Sequence, residues 1–199
     1  MHPGYPDREG MGRRTLLPNN MLLWEWSLVE QSDWFLTICE PEYVKPHGAF
    51  YNDTAFPMDY FEHPPPGKVS RGSSWVEPEF PRDRFVDVLP SGKPLLSLLS
   101  KTHALLGLPG TMHENAARKA NAVFIREGFA DRAYQPNGLL VPRSEPGAIL
   151  EDPDQIKHQV LELAPKVDSI CLHGDTPNCL EFAELVYKTL VDAGYEVGY

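Results

Sequence analysis

The 199-residue chain has only three cysteines, Cys39, Cys171 and Cys179, an odd number with no CxxC spacing. That argues against a disulfide framework and against a structural zinc site. No run of 18 apolar residues exists, so no segment is predicted to span a membrane. The opening MHPGYPDREGMGRR lacks the apolar core that a signal peptide needs, and a soluble, cytoplasmic protein is expected. Positive charge is scarce: 18 Lys and Arg against 28 Asp and Glu give a net charge of -10, with no basic cluster beyond Arg13-Arg14. A nucleic-acid backbone would be repelled, which removes that class of partner. Internal repeats are absent.

A hydrophobic content of 42% supports a folded core, and the length suits one domain. The 20 prolines are about twice the usual share. Eight of them fall between Thr54 and Pro94, where no helical or strand period survives, so that stretch is expected to be irregular. Residues 1–14 read as a loop. Leu16–Leu36 is apolar with a poor helical period, and Glu42–Val44 suggests a short strand that turns at Pro46 and Gly48.

Pro94–Leu108 predicts a helix running into a strand. Thr111 with Glu114 three residues on forms a capping-box signal, and Ala122–Phe129 is strand-like. Asp152-Pro153-x-Gln155 starts a helix to about Ala164. Ser169–Leu172 is a short strand. Thr176 can cap a last helix, with Pro177 at its first position and Gly194 closing it. Phe182, Ala183, Val186 and Leu190 share one face of that helix and read as core. Alternating strands and helices imply an α/β fold with parallel strands.

In such folds the reacting groups sit on loops after the carboxyl ends of strands. His173-Gly174-Asp175 follows Ser169–Leu172. His173 can move a proton or bind a metal, and Asp175 can orient it or act as a base. The plain alternative is a helix-capping aspartate beside a satisfied histidine. Lys45 and His47 follow Val44 and suit a carboxylate or a polarised carbonyl, although a surface lysine in a turn is the commoner case. His2 lies in what reads as a flexible terminus. Asp131, Arg132 and Arg143 can clamp a carboxylate, or Pro136-Asn137-Gly138 can simply turn a hairpin held by an Asp–Arg pair. His63, His103, His113 and His158 lack a strand-end setting and read as surface or core residues.

Together, HPGYPDREGMGRR (2–14), VKPHGAFYN (44–52), EGFADRAYQPNGLLVPRSEPGAIL (127–150) and ICLHGDTP (170–177) closely resemble, in order, the signature blocks of the LamB/YcsF family. The resemblance implies an irregular β/α barrel of the glycoside hydrolase/deacetylase type. It implies ATP-dependent opening of the cyclic amide 5-oxoproline to L-glutamate, with ATP as co-substrate and B and C subunits as partners. On that basis His173 and Asp175 are expected in acid/base roles, and Lys45 and His47 on a phosphate or oxyanion. Arg132 and Arg143, with Asp131 and His2, are expected at the substrate. No metal is assigned. The family blocks of the forms DLNxDxGE and CGFHAGD are not found, so residues 1–199 are expected to form a single incomplete barrel domain lacking its N-terminal strands. Two other readings follow: a metal-dependent deacetylase-like hydrolase with His2, His47 and His173 as ligands, and a non-catalytic truncated subunit.

Overall fold

The computed structural model describes residues 1–14, 21–55, 69–71, 74–76, 93–176 and 178–198. Its elements in chain order are α1 (Met21–Leu36), α2 (Ala49–Thr54), β1 (Val69–Arg71), β2 (Ser74–Val76), α3 (Lys93–Leu99), β3 (Ala104–Gly107), α4 (Met112–Lys119), β4 (Val123–Phe129), α5 (Pro153–Leu163), β5 (Ser169–Cys171) and α6 (Cys179–Asp192). They fall into two compact units, Met1–Phe124 and Ile125–Tyr199. Among the described residues no helix is long and apolar enough to cross a membrane.

The first unit is organised by short parallel segments. The amide of Val44 donates to the Ala104 carbonyl and the amide of Leu106 to the Val44 carbonyl, a parallel bridge between Val44 and Leu105. On the other side of Val44, the amides of Lys45 and His47 donate to the carbonyls of Met1 and Pro3 at 2.9 and 2.8 Å. These bonds alternate as parallel strands require. The amide of Val123 then donates to the His103 carbonyl at 2.8 Å. Beneath lie Val44, Phe50, Leu98, Leu105, Met112 and Ala117, all essentially inaccessible, and each contributes roughly 1.5–3 kcal/mol by burial if it is large.

Residues 1–14 do not behave as a loose end. Gln31 of α1 donates to the Gly4 carbonyl and accepts from the Gly4 amide. Buried Tyr5 donates to Asp53 at 3.1 Å. The Asp7 carboxylate accepts from the amides of Gly10 and Arg14, so the loop winds around it. Despite its poor period, the apolar stretch Leu16–Leu36 reads as a helix, and α1 spans Met21–Leu36 of it; residues 15–20 lie outside the described set. The stretch expected to be irregular contains an antiparallel pair, β1 with β2, and most of the rest of it lies outside the described residues.

At α4 the capping signal is realised in a shifted form. Thr111 accepts from the His113 amide, while Glu114 reaches back to the Gly110 amide rather than to that of Thr111. His113 is a fully buried core residue. It accepts from the Leu108 amide at Nδ1 and donates from Nε2 to Thr54, which fixes the neutral Nε2–H tautomer. Burial lowers its pKa to about 3.

In the second unit β4 and β5 pair in parallel, with Glu127, Gly128 and Phe129 opposite Ser169, Ile170 and Cys171. One face carries Gly128, Ala130, Ile170 and Leu172 and packs on α5 and α6 through Ile156, Val160 and Phe182. A Cβ on Gly128 would stand 3.1 Å from Leu163, so glycine is what lets the end of α5 lie close. The other face carries Glu127, Phe129, Ser169 and Cys171, and two residues further on, Asp131 and His173. Helix α5 starts where expected, with Asp152 accepting from the Asp154 amide. Helix α6 does not start at Thr176: its N-cap is Asn178 in the left-handed region. Pro177 lies outside the described residues. Ala183 is exposed, and Leu185 rather than Ala183 packs against the core.

Candidate functional site

The polar residues singled out above form two groups, one in each unit. In the second unit the parallel register sets Asp131 and His173 on one strand face, each two residues beyond a paired strand position. The Asp131 side chain is fully inaccessible, and the carboxylate accepts from the His173 amide at 3.0 Å, from His173 Nδ1 at 2.8 Å and from the Thr176 hydroxyl at 3.0 Å. Burial on its own raises the Asp131 pKa. Bonds from the His173 ring and amide, the His173 charge and the Thr176 hydroxyl outweigh it, and the net direction is down.

An ionised carboxylate only accepts, so His173 Nδ1 must carry the hydrogen. Nε2 is then left as the ring's proton-accepting atom. The ring lies nearly parallel to that of Phe129, with centroids 5.8 Å apart, and its side chain retains 24% exposure. A histidine fixed in tautomer by a buried carboxylate, its side chain partly exposed, is the orienting arrangement of a general base.

The roles expected of the neighbouring residues change accordingly. Asp131, not Asp175, orients His173, because Asp131 is the carboxylate that lies on the same strand face. Asp175 instead pairs with Arg143 at 3.1 Å, both partly exposed. Arg132 is no free substrate clamp: its Nε and Nη2 donate to the carbonyls of Ala148 and Val141, bracing the hairpin of residues 132–149 from inside. Desolvation and the nearby Arg143 charge lower its pKa to about 10, so it stays a cation at neutral pH. Tyr134 lies beneath, accepting from the Phe129 amide, its pKa raised to about 12 chiefly by burial. Thr176, read as a helix cap, is a carboxylate donor: a buried anion competes for its hydroxyl better than an exposed helix end does. Its place after His173 carried no separate signal for that role.

In the first unit His2, Lys45 and His47 come together at the ends of the parallel segments. His2 Nδ1 lies 2.8 Å from the Lys45 carbonyl, His2 Nε2 lies 2.7 Å from His47 Nδ1, and His47 Nε2 lies 2.8 Å from the Met11 carbonyl. A carbonyl can only accept, so both outer nitrogens need a hydrogen and the central contact needs one more. Two neutral rings hold one hydrogen too few, and the pair is satisfied only as a single cation. Desolvation lowers the His2 pKa to about 4, with opposition from its bond to Lys45 and further lowering by His47 and Lys45. The His47 ring fits because Gly4 and Gly12 have no side chains: a Cβ on either would stand 3.2 Å from it. Gly48 turns the chain at φ 60°, where a Cβ would come within 2.5 Å of the Gly12 carbonyl.

His47 therefore has no ring nitrogen left to donate to a phosphate or oxyanion, and His2 none for a substrate. The pair offers charge instead of donors. Among the described residues no group of three or more His, Cys, Asp or Glu is placed to hold a metal.

The sequence profile of the LamB/YcsF family matches residues 1–61 and 95–198. The A subunit of 5-oxoprolinase from Pyrococcus furiosus is 31% identical over 219 residues, covering 98% of this chain and 73% of its own length. Its counterpart from Neisseria meningitidis serogroup C is 33% identical over 215 residues, covering 98% and 76%. The crystal structure of a lactam utilization protein from Thermus thermophilus superposes with a TM-score of 0.63 at 27% identity, covering 98% of this chain and 74% of that one.

Proposed function

The chain belongs to the LamB/YcsF family, and from that premise we propose that it opens the lactam ring of 5-oxoproline as the A-type subunit of a 5-oxoprolinase. The observation that carries this reading is the partly exposed His173 ring, held at Nδ1 by buried Asp131. Hydrolysis of an amide needs a base for water and a proton for the departing nitrogen. His173 Nε2 suits both steps in turn: it takes a proton from water as the carbonyl is attacked, then returns it to the ring nitrogen as the C–N bond breaks.

A five-membered lactam is stabilised by amide resonance. ATP, as co-substrate, would phosphorylate the amide oxygen with release of ADP. Water added at the activated carbon and C–N cleavage would then leave an acyl phosphate, which a second water hydrolyses to glutamate and phosphate. Arg143 is the cation for the substrate carboxylate, since its ion pair with Asp175 is partly exposed and exchangeable, unlike the buried bonds of Arg132. The Lys45, His2 and His47 group adds positive charge for an anionic oxygen or phosphate. The reading further includes B and C subunits as partners, a cytoplasmic setting, and a barrel of the glycoside hydrolase/deacetylase type. Successive short parallel segments connected by helices support the last of these.

The test is glutamate release from 5-oxoproline with ATP, by the chain alone and with candidate B and C subunits. Release that disappears in His173→Ala supports the reading. Release unaffected by that substitution, or no release under any of these conditions, overturns it.

A further inference from the structure

We infer that Gln159 is a positioning residue for the His173 base, an inference that rests on the function proposed above. Gln159 lies on α5, beside the buried core positions Ile156 and Val160, and its part-buried side chain ends in hydrogen bonds to the main chain. Gln159 Nε2 lies 2.7 Å from the Phe129 carbonyl, 3.1 Å from that of Ala130 and 2.8 Å from that of Arg132. These are the residues on either side of Asp131. The remaining carbonyl of the turn, that of Asp131, accepts from the Leu150 amide at 3.0 Å. Each carbonyl from Phe129 to Arg132 thereby has a donor, and one side chain reaches three of the four.

Carbonyl oxygens aimed at one point repel each other unless a donor stands between them, and buried acceptors left without one are costly. The Phe129–Arg132 turn therefore holds its shape because the Gln159 amide, with two hydrogens to give, occupies that point. Asp131 is carried on the turn, and its carboxylate must meet the His173 amide, the His173 ring and the Thr176 hydroxyl together. A shift of the turn by a fraction of an ångström spoils that geometry without touching His173. The order of control runs from α5 through Gln159 to the turn, to Asp131, to the His173 tautomer.

The experiment compares the full chain with Gln159→Met, which keeps length and loses the donor, and with Asp152→Ala, which removes only the N-cap of the same helix. Long-range 15N–1H NMR reads the His173 tautomer, and steady-state kinetics with the partner subunits reads kcat and KM. The wild type is expected to show His173 as a single Nδ1–H tautomer. Gln159→Met is expected to show a mixture of tautomers and a kcat lower by about ten- to a hundredfold, with KM within about twofold, as small misplacements of a catalytic group produce. Asp152→Ala is expected to lower the melting temperature and leave the tautomer unchanged.

If Gln159→Met matches Asp152→Ala in tautomer and kcat, Gln159 only stabilises the helix and the inference fails. Should Gln159→Met not fold, Gln159→Asn, which keeps the amide but withdraws it by one methylene, takes its place with the same two outcomes. If the wild type releases no glutamate, the proposed function falls while the tautomer measurement still decides the role of Gln159.

Discussion

His2 Nε2 and His47 Nδ1 stand 2.7 Å apart, and each ring turns its other nitrogen to a main-chain carbonyl, so the pair is complete only when it shares one proton beyond two neutral rings. This cation closes residues 1–14 onto the segment before α2. Two of its contacts are to the carbonyls of Lys45 and Met11, one on each side of the closure.

Replacing His47 by Phe removes the central contact and the bond to Met11 while keeping a ring between Gly4 and Gly12. Hydrogen bonds to a charged donor are worth about 1.5–3 kcal/mol, so local opening of the loop is expected to rise by about tenfold or more. Arg13 and Arg14 are exposed in that loop, and limited trypsin digestion reads their accessibility. Cleavage there is expected to quicken about tenfold in His47→Phe with little change in the melting temperature. An unchanged cleavage rate would show that the pair does not hold the loop.

Asp131→Asn tests the orientation of His173. An amide can accept from the His173 amide or the Thr176 hydroxyl, but its NH2 cannot accept from Nδ1–H, and the ring is driven toward the other tautomer. The expected loss in kcat is about a thousandfold or more, the scale seen when a base is held in the wrong tautomer. Thr176→Val removes one of the three donors and is expected to cost far less, within about tenfold. Equal activity of wild type and Asp131→Asn in a glutamate-release assay would remove His173 from the mechanism.

Arg143 and Asp175 divide differently from what their proximity in sequence to the site residues suggests. Arg143→Ala is expected to raise KM for 5-oxoproline by about ten- to a hundredfold, since a charge-assisted bond to the substrate carboxylate is lost. Asp175→Asn frees Arg143 without removing it, and kcat is expected to stay within about tenfold. A collapse of kcat in Asp175→Asn, with KM unchanged, would return Asp175 to the acid/base role.

The parts of the site that the sequence made legible are those fixed by local rules. Strand, turn and helix signals located β4, β5, α4 and α5 closely and gave a helix running into a strand where α3 and β3 lie, and the positions after β4 and β5 pointed to Asp131 and His173. Partner choice was not legible, because it depends on which side chains share a strand face and that follows from the β4–β5 register. Alternation along Glu127, Phe129 and Asp131 was the available signal, and the same register puts His173 beside Asp131 and leaves Asp175 to Arg143. Gln159 carried no signal of its own: it reads as an ordinary residue of an amphipathic helix, and its role comes from the shape of a turn some 30 residues earlier. In residues 1–14 the polar and glycine-rich composition suggested looseness, whereas Asp7, Tyr5 and Gln31 spend those polar groups on ordering the loop.

Acid sensitivity provides the last test, and it bears on the first unit independently of catalysis. His113 is fully buried, its ring nitrogens bound to the Leu108 amide and Thr54. Its pKa is about 3 against 6.5 when exposed. Above pH 6.5 both folded and unfolded chains hold it neutral, and it contributes no pH dependence. Between 6.5 and about 3 the unfolded chain binds a proton that the folded one refuses, so stability falls as pH falls, by up to about 1.4 kcal/mol per pH unit from this site. Asp131, with its pKa lowered from 3.8, adds its own loss only at more acid pH. Melting temperatures from pH 7.5 to 4.5 are therefore expected to decline in the wild type. His113→Asn removes the titrating group, and it is expected to start less stable by about 1–3 kcal/mol and to decline less steeply below pH 6.5. Parallel curves for the two proteins would show that His113 is not the group that opposes protonation in the fold.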